Sequence, residues 1–229
     1  MNSTKHPTCE TCKYFKPESY TPDLGNCLKK QLRSPKKEDY CQEHTVLQAV
    51  FLDFDGIINS KESFKRIREK NKNLKEEFDE ALNRDAPWEK TKLFVQQNFI
   101  CPSLVGNMKV LFDELPNAHF IVSSGWGRRW SLSKIKDIFE PFLPVERLDI
   151  TPKKFSSSKI HEIPFWLSDN FGHYPKWRED IKKGTCRVAI IDDVAYGFDF
   201  EKFFLIDDKV GLTMEKVREI ISYLKNSPK

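Results

Sequence analysis

The sequence VFLDFDGIIN (50–59) joins an apolar run to two aspartates, Asp53 and Asp55, and then to a glycine, Gly56. The apolar run has the length of a buried β-strand, and glycine lets the backbone turn sharply directly after it. Side chains two residues apart in a strand point to the same face, so the two carboxylates either repel each other or share a cation. The stretch therefore predicts a strand that ends at a charged site, although Asp and Gly are also common in purely structural turns.

Three further apolar runs of strand length end in Asp or Ser. They are AHFIVSS (118–124), RVAIIDD (187–193) and KFFLIDD (202–208), and segments of helical pattern separate them. Ligands of open parallel sheets bind beyond the carboxyl ends of the strands, so these polar residues should converge on one site. We therefore predict an α/β fold over residues 46–229, with a Rossmann-like parallel sheet flanked by helices.

The remaining segments of this region predict helices. The charged stretch 61–99 carries apolar residues at roughly helical spacing, which predicts one or two amphipathic helices and a helical insertion or lid over residues 60–100; these residues are Phe64, Ile67, Leu74, Phe78 and Leu82. SLVGNMKVLFDEL (103–115) predicts a core helix that ends before Pro116. TMEKVREIISYLKN (213–226) predicts a last helix with Thr213 as its cap.

Composition bounds the class of protein. Hydrophobic residues make up 39% and aromatic residues 13% of the 229, which indicates a globular chain. No apolar run approaches the roughly 18 residues of a membrane helix, and MNSTKHPTCE (1–10) lacks a signal-peptide core, so we expect a soluble, cytoplasmic protein without a membrane partner. The net charge of +4 suits a phosphate-bearing partner but is too small to indicate a dedicated nucleic-acid binder.

Residues 1–45 differ from the rest because they hold four of the six cysteines, in the pattern C-x2-C-x14-C-x13-C, at Cys9, Cys12, Cys27 and Cys41. Four thiolates suit tetrahedral Zn²⁺, and so short a segment has too small a hydrophobic core to fold without a bound metal or a disulfide. We predict a separate zinc-binding module, with disulfides, an iron–sulfur cluster, or a histidine (His6 or His44) replacing one cysteine as alternatives. Cys101 and Cys186 lie in apolar contexts and are predicted to be buried.

The order of these motifs resembles the haloacid dehalogenase-like (HAD) phosphohydrolase superfamily over residues 46–224. The closest form is the compact HAD domain associated with predicted RNA-repair proteins, in which four motifs recur; here they are FLDFDG (51–56), SSGW (123–126), DD (192–193) and GLT (211–213). The resemblance implies a Mg²⁺-dependent phosphatase that works through an aspartyl-phosphate intermediate, with a small or absent cap.

The acidic residues receive distinct roles from this resemblance. Asp53 is the expected nucleophile, which splits one difficult phosphoryl transfer into two easier steps. Asp55 is the expected general acid and base. The implied Mg²⁺ ligands are Asp53, the backbone carbonyl of Asp55, and the pair Asp192 and Asp193, with Asp192 preferred as a direct ligand. The pair Asp207 and Asp208 also ends a predicted strand and is the alternative.

The phosphate-facing residues are also implied. Ser123 would donate a hydrogen bond to a phosphate oxygen, with help from Ser124 and the amides around Gly125, while Gly56 lets the backbone turn beside the phosphate. Lys159 is the expected basic residue, with Lys154 and Lys153 as alternatives; its other interpretation is an ordinary exposed lysine.

The cluster of Trp126, Arg128, Arg129 and Trp130 could hold a phosphodiester backbone or stack a base, or could serve packing alone. The predicted substrate is a nucleotide or a nucleic-acid end, since HAD enzymes with small caps tend to accept bulky substrates. Two alternatives remain: a small-molecule phosphatase or phosphotransferase covered by a lid at 60–100, and a non-catalytic nucleic-acid- or protein-binding module on a HAD scaffold.

Overall fold

A computed structural model describes residues 15–17, 25–27, 46–81, 83, 85–152, 159–171, 176–184, 186–195 and 202–226. The chain divides into two compact units, Met1–Val46 and Leu47–Lys229. In the first unit, β1 (Phe15–Pro17) pairs antiparallel with β2 (Gly25–Cys27). The predicted zinc ligands Cys9, Cys12 and Cys41 lie outside the described residues, and only the backbone of Cys27 is described, so the zinc site stays a prediction.

The second unit contains a five-stranded parallel sheet in the order β5-β4-β3-β6-β7. Its strands are β3 (Leu47–Leu52), β4 (His119–Val122), β5 (Leu148–Ile150), β6 (Cys186–Asp192) and β7 (Lys202–Leu205). The four predicted strands are confirmed. β5 was not predicted because three residues are too few to show a strand pattern.

Nine helices of the described chain surround this sheet: α1 (Lys61–Lys70), α2 (Leu74–Ala81), α3 (Trp88–Asn98), α4 (Pro102–Glu114), α5 (Gly125–Arg129), α6 (Leu132–Phe139), α7 (Lys159–Phe171), α8 (Lys176–Lys182) and α9 (Met214–Lys225). A 3₁₀ turn at Val145–Arg147 precedes β5. The sheet with its helices is the Rossmann-like α/β fold that the sequence predicted.

The insertion between β3 and α4 forms three helices rather than the one or two predicted. Asn71 ends α1 and its backbone N–H bonds to the carbonyl of Ile67, while Pro87 precedes the first residue of α3. Asn and Pro are helix-boundary signals, and they divide a stretch whose apolar spacing reads as nearly continuous.

The two helices predicted individually are confirmed. α4 ends at Glu114, before Pro116, and the Thr213 hydroxyl caps α9 by accepting from the Lys216 amide at 3.3 Å. Cys186 is buried in β6 as predicted. The prediction for Cys101 was wrong: it is partly exposed at the start of α4, with its Sγ 3.3 Å from Ser103 Oγ, because a helix-capping position faces the surface.

The core lies on both faces of the sheet. β6 is buried along its whole length and β3 along all but one residue, as expected for central parallel strands covered on both sides. Aromatic rings fill much of this core, including Phe112 and Phe120, stacked with 3.7 Å between ring centroids. The strand ends that carry the polar residues are therefore held by a tightly packed core.

Among the described helices, none combines the length and the hydropathy that a membrane span requires.

Candidate active site

The register of the sheet aligns three polar residues at its carboxyl edge. Leu52 of β3 lies opposite Val122 of β4 and Ile191 of β6. The ladder continues one residue further, since the Asp53 amide bonds to the Ile191 carbonyl at 3.0 Å and the Ser123 amide bonds to the Leu52 carbonyl at 2.8 Å. Asp53, Ser123 and Asp192 therefore stand side by side, as the convergence of strand ends predicts.

Asp53, Asp192 and Asp193 form a carboxylate group whose potential ligand oxygens all lie within 4.8 Å of one another. Asp192 is fully buried and Asp53 nearly so. Burial, and secondly the charge of Asp53, raise the pKa of Asp192 to about 6, and the same two causes raise the pKa of Asp193. The group is thus a concentration of negative charge that the folded chain balances only in part.

Lys159, the first residue of α7, lies between two of these carboxylates. Its Nζ donates to Asp53 Oδ2 and, at 2.6 Å, to Asp192 Oδ2. Burial alone would lower the pKa of this lysine, but the charges of Asp53 and Asp192 hold it above its ordinary value. The alternatives Lys153 and Lys154 lie outside the described residues.

The Ser123 hydroxyl is buried beside Asp53. Its side chain is 1% exposed, and its Oγ finds no hydrogen-bond partner among the described residues. Leaving a buried hydroxyl unsatisfied costs about 1–3 kcal/mol, which a bound oxygen would recover. The position beside Asp53 makes this hydroxyl available to a phosphate oxygen.

Gly56 permits the close approach of the backbone to the acidic group. Its φ is +75°, and a Cβ at this position would lie 2.3 Å from Asp193 Oδ2. The Gly56 amide donates to Asn59 Oδ1 at 2.8 Å. Its contribution is therefore the space that it leaves for Asp193.

The Asp55 side chain is not part of the three-carboxylate group. Its Oδ1 accepts from Asn59 Nδ2 at 3.0 Å and from Trp126 Nε1 at 3.0 Å. β3 ends at Leu52, so the alternation of a strand no longer governs Asp53 and Asp55. Asn59 was missed by sequence reasoning, and its signal was weak: a polar residue four positions after Asp55, in a tight turn where Asn side chains often bond locally.

The other predicted substrate-binding residues surround α5. The Ser124 hydroxyl caps this helix by accepting from the Trp126 amide at 3.3 Å, so it is used locally. Gly125 is exposed, and Trp126 is 6% exposed and packs its ring against Phe54. Arg128 is half-exposed and lies 3.6 Å from a carboxylate oxygen of Glu162, a buried residue that sequence reasoning missed.

A cavity of about 450 Å³ opens beside Asp55. We call it the aromatic pocket; its walls are the rings of Phe78, Phe99, Trp126 and Trp130, together with Asp55, Val95, Gly125, Arg128 and Arg129. The volume lies in the range of small-molecule sites. Trp126 thus joins the core to the pocket, and Arg128 lies at its edge.

The competing pair of acids stands outside the carboxylate group. Asp208 forms an ion pair with Lys61, and Asp207 is exposed and accepts from the Lys209 amide at 2.9 Å. Hard oxygen donors such as Asp53, Asp192 and Asp193 suit Mg²⁺, and the unpaired Ser123 hydroxyl suits an anion beside it. The residues present therefore fit a Mg²⁺ ion and a phosphoryl group together.

Comparison with known proteins agrees with this geometry. The family described as HAD domain in Swiss Army Knife RNA repair proteins matches residues 49–217. Among solved structures, the HAD domain of the effector protein Lem4 from Legionella pneumophila is similar at 15% sequence identity, with a TM-score of 0.46 over 80% of this chain and 98% of that chain. No curated protein sequence matches. The family match runs from within β3 to the first turn of α9 and includes Asp53, Ser123, Lys159, Asp192 and Asp193. The chain therefore has a HAD-type phosphohydrolase scaffold and belongs to the family of HAD domains in Swiss Army Knife RNA repair proteins.

Proposed function

We propose that the protein is a Mg²⁺-dependent phosphatase that hydrolyses a phosphomonoester through an aspartyl-phosphate on Asp53. The observation that carries this proposal is the meeting of Asp53, Asp192 and Asp193 within 4.8 Å, beside Lys159 and the unpaired Ser123 hydroxyl. A scaffold without catalysis gains nothing from buried carboxylates that repel one another.

In the first step, a carboxylate oxygen of Asp53 bonds to phosphorus while the bond from phosphorus to the ester oxygen breaks. Protonated Asp55 gives its proton to that leaving oxygen, and the hydrogen bonds from Asn59 and Trp126 hold its carboxyl group in place. Ser123 and Lys159 donate to oxygens of the transferring group. Mg²⁺, held by Asp53, Asp192 and Asp193, would offset the negative charge of nucleophile and phosphate.

In the second step, water attacks phosphorus of the aspartyl-phosphate, and the bond to Asp53 breaks. Asp55, now a carboxylate, accepts the proton of the attacking water and returns to the form that began the cycle. Inorganic phosphate leaves, and Asp53 is regenerated. An alcohol that reached the intermediate in place of water would give phosphotransfer.

A nucleotide or a nucleic-acid end is the substrate we favour. The aromatic pocket lies beside Asp55, the proposed acid for the leaving group, and its four aromatic rings suit a planar base. The description of the family, which names RNA repair, supports the same substrate class. Sugar phosphates would leave these rings without a stacking partner.

The test is phosphate release from an aryl phosphate with and without Mg²⁺. Wild-type activity should require the metal, and Asp53→Asn should reduce it to background. Asp207→Asn is the matched control, because it removes an exposed acid from the neighbouring strand end outside the carboxylate group. Equal activity of wild type and Asp53→Asn would refute the nucleophile.

A substrate panel then addresses specificity. Release from 3′- or 5′-phosphorylated oligonucleotides or from mononucleotides should exceed that from sugar phosphates. The reverse ranking would refute the substrate class and leave the mechanism intact. No activity on any phosphoester, with nucleic-acid binding retained, would favour a binding module instead.

The zinc module is a proposal from the sequence alone. Elemental analysis should find about one zinc per chain, because four thiolates form one tetrahedral site. Cys9→Ser should lower this content, whereas Cys186→Ser, at a buried cysteine of β6, should not. Protein without metal and with a folded N-terminal unit would contradict the prediction.

A further inference from the structure

A second cavity of about 1100 Å³ lies against the first two helices of the insertion. We call it the basic groove, and five cations line it: Lys61, Lys65, Arg68, Lys72 and Lys75. Among the described residues, two carboxylates, Glu69 and Asp79, line the same groove. The described lining thus has three more positive than negative side chains.

The spacing of the cations gives them a common direction. Lys61, Lys65 and Arg68 stand four and three residues apart on α1, so they share one face of the helix. They span about 10 Å along the helix axis. Lys72 lies in the turn before α2 and Lys75 in its first turn, and both line the same groove.

Most of these cations have no ion-pair partner among the residues that the structure describes. Lys61 pairs with Asp208. Within the part of the chain that the structure describes, no ion pair engages Lys65, Arg68 or Lys72, although neighbouring Arg66 does pair with Glu62 at 3.8 Å. These three cations, unpaired within the described residues, could therefore bind an anionic partner.

The basic groove and the aromatic pocket share a wall. Phe78 and Phe99 line both cavities, and their rings lie 5.6 Å apart. Phe64 extends this wall into the groove, with its ring centroid 5.2 Å from that of Phe99. All three rings are partly exposed. An extended ligand could pass from Asp55 over these rings to the cations without leaving the surface of the chain.

We propose that the basic groove binds the nucleotides of a single-stranded nucleic acid next to the phosphorylated end, while the terminal nucleoside lies in the aromatic pocket. This inference rests on the proposed function for the position of the end. Alternating contacts of cations with phosphates and of rings with bases are how proteins hold single strands. A duplex would keep its bases stacked and away from the phenylalanine rings.

Binding is tested with Asp53→Asn protein, so that no turnover occurs. The probe is a labelled ten-nucleotide strand, as RNA and as DNA, and the readout is fluorescence anisotropy at about 50 to 200 mM salt. Each phosphate contact to a single strand adds about 0.7 to the slope of log affinity against log salt. Replacing Lys65, Arg68 and Lys72 by Gln should therefore lower the slope by about 2, which corresponds to about 20-fold less loss of affinity over this salt range.

Two further variants make the result specific. The triple change of Lys109, Lys182 and Lys183 to Gln removes the same charge from exposed positions outside both cavities, and it should bind like the parent protein. Phe64→Ala should weaken binding of the strand about tenfold, because stacking of one base is lost. It should leave binding of polyglutamate, a polyanion without bases, unchanged.

A kinetic measurement on two substrates separates this inference from the proposed function. The ratio of kcat/KM for an end-phosphorylated strand to that for a mononucleotide should fall at least tenfold in the groove triple variant. If the wild type hydrolyses no phosphomonoester, the proposed function fails, and the binding data still decide the groove. Equal affinity and salt slope in the groove triple variant and its parent, or equal losses in the control triple variant, would overturn the groove.

Discussion

Replacing Gly56 by alanine should reduce the stability that Mg²⁺ adds to the protein, in addition to lowering the stability of the metal-free fold. The residue has φ of +75°, which costs a residue with a Cβ about 1–2 kcal/mol. The new Cβ would also lie 2.3 Å from Asp193 Oδ2 and 2.9 Å from Asp193 Cβ, so this carboxylate must move. At about 2–4 °C per kcal/mol for a unit of this size, the melting temperature without metal should fall by about 2–8 °C.

The decisive quantity is the additional stability that Mg²⁺ provides. A metal at 100 times its Kd stabilises a protein by about 2.7 kcal/mol, or about 5–11 °C here. Gly56→Ala should lose most of this gain, because Asp193 is displaced from the carboxylate group. The measurement is thermal unfolding, followed by circular dichroism, across a Mg²⁺ titration.

Two other glycines provide matched controls. Gly211 also has a positive φ, of +80°, and its added Cβ would meet Leu104 at 2.5 Å, so Gly211→Ala should destabilise the fold and keep the full Mg²⁺ gain. Gly106 lies inside α4 with nothing within 4 Å of an added Cβ, so Gly106→Ala should stabilise by about 0.5–1 kcal/mol. A Gly56→Ala variant with the wild-type Mg²⁺ gain would refute the role of Asp193.

Three other predictions follow from individual contacts. Lys159→Gln leaves two buried carboxylates without their cation. In urea unfolding near pH 8 without metal, the free energy of unfolding should therefore fall by about 3–5 kcal/mol, and Mg²⁺ should restore part of it. Full wild-type stability would contradict this role of Lys159. Asn59→Ala loosens Asp55, so kcat/KM should fall more for an alkyl phosphate, whose leaving oxygen needs a proton, than for an aryl phosphate; equal losses would indicate a structural effect only. The hydrogen bond from Lys92 lowers the pKa of Asp137 below its ordinary value of 3.8. The ionised carboxylate therefore stabilises the fold at pH values above 3.8, and this stabilisation is lost as the pH falls through the lowered pKa. Asp137→Asn should therefore lose less stability than wild type between about pH 5 and pH 3, and parallel acid curves would contradict this.

The strand ends could be predicted from the sequence because central parallel strands are continuous apolar runs that show where they stop. The row of Asp53, Ser123 and Asp192 follows from this, since neighbouring parallel strands bring equivalent ends to one edge. The position of Lys159 depended instead on the resemblance, because a single lysine before a helix has no distinguishing pattern.

Side-chain directions beyond the strands could not be predicted in the same way. The D-x-D spacing suggested a shared face for Asp53 and Asp55, but the strand ends at Leu52 and the turn sends Asp55 to Asn59 and Trp126. The two carboxylates therefore have different surroundings: Asp53 belongs to the group that suits a metal, and Asp55 lines the aromatic pocket that we propose for the leaving group.

The basic row on α1 was visible in the sequence as Lys61, Lys65 and Arg68, yet a charged helix face is usually only solvated. The fold supplied what the sequence lacked, because it places these cations in a groove that shares the rings of Phe78 and Phe99 with the pocket beside Asp55. Spacing alone gives no distance between a helix face and a strand end.

The connection between the aromatic pocket and the basic groove matters because of the charge of the carboxylate group. Three carboxylates and the Lys159 ammonium leave a formal charge of −2, which one Mg²⁺ ion balances. A phosphomonoester adds about −2 again, and Ser123 offers only a neutral hydroxyl against it. Further cations lie outside the carboxylate group: Arg128, which also contacts Glu162, and those of the basic groove. A substrate that contacts only Asp53, Ser123 and Asp192 gains little net attraction. A strand that also lies in the basic groove places its phosphates beside Lys65, Arg68 and Lys72, which are unpaired within the described residues.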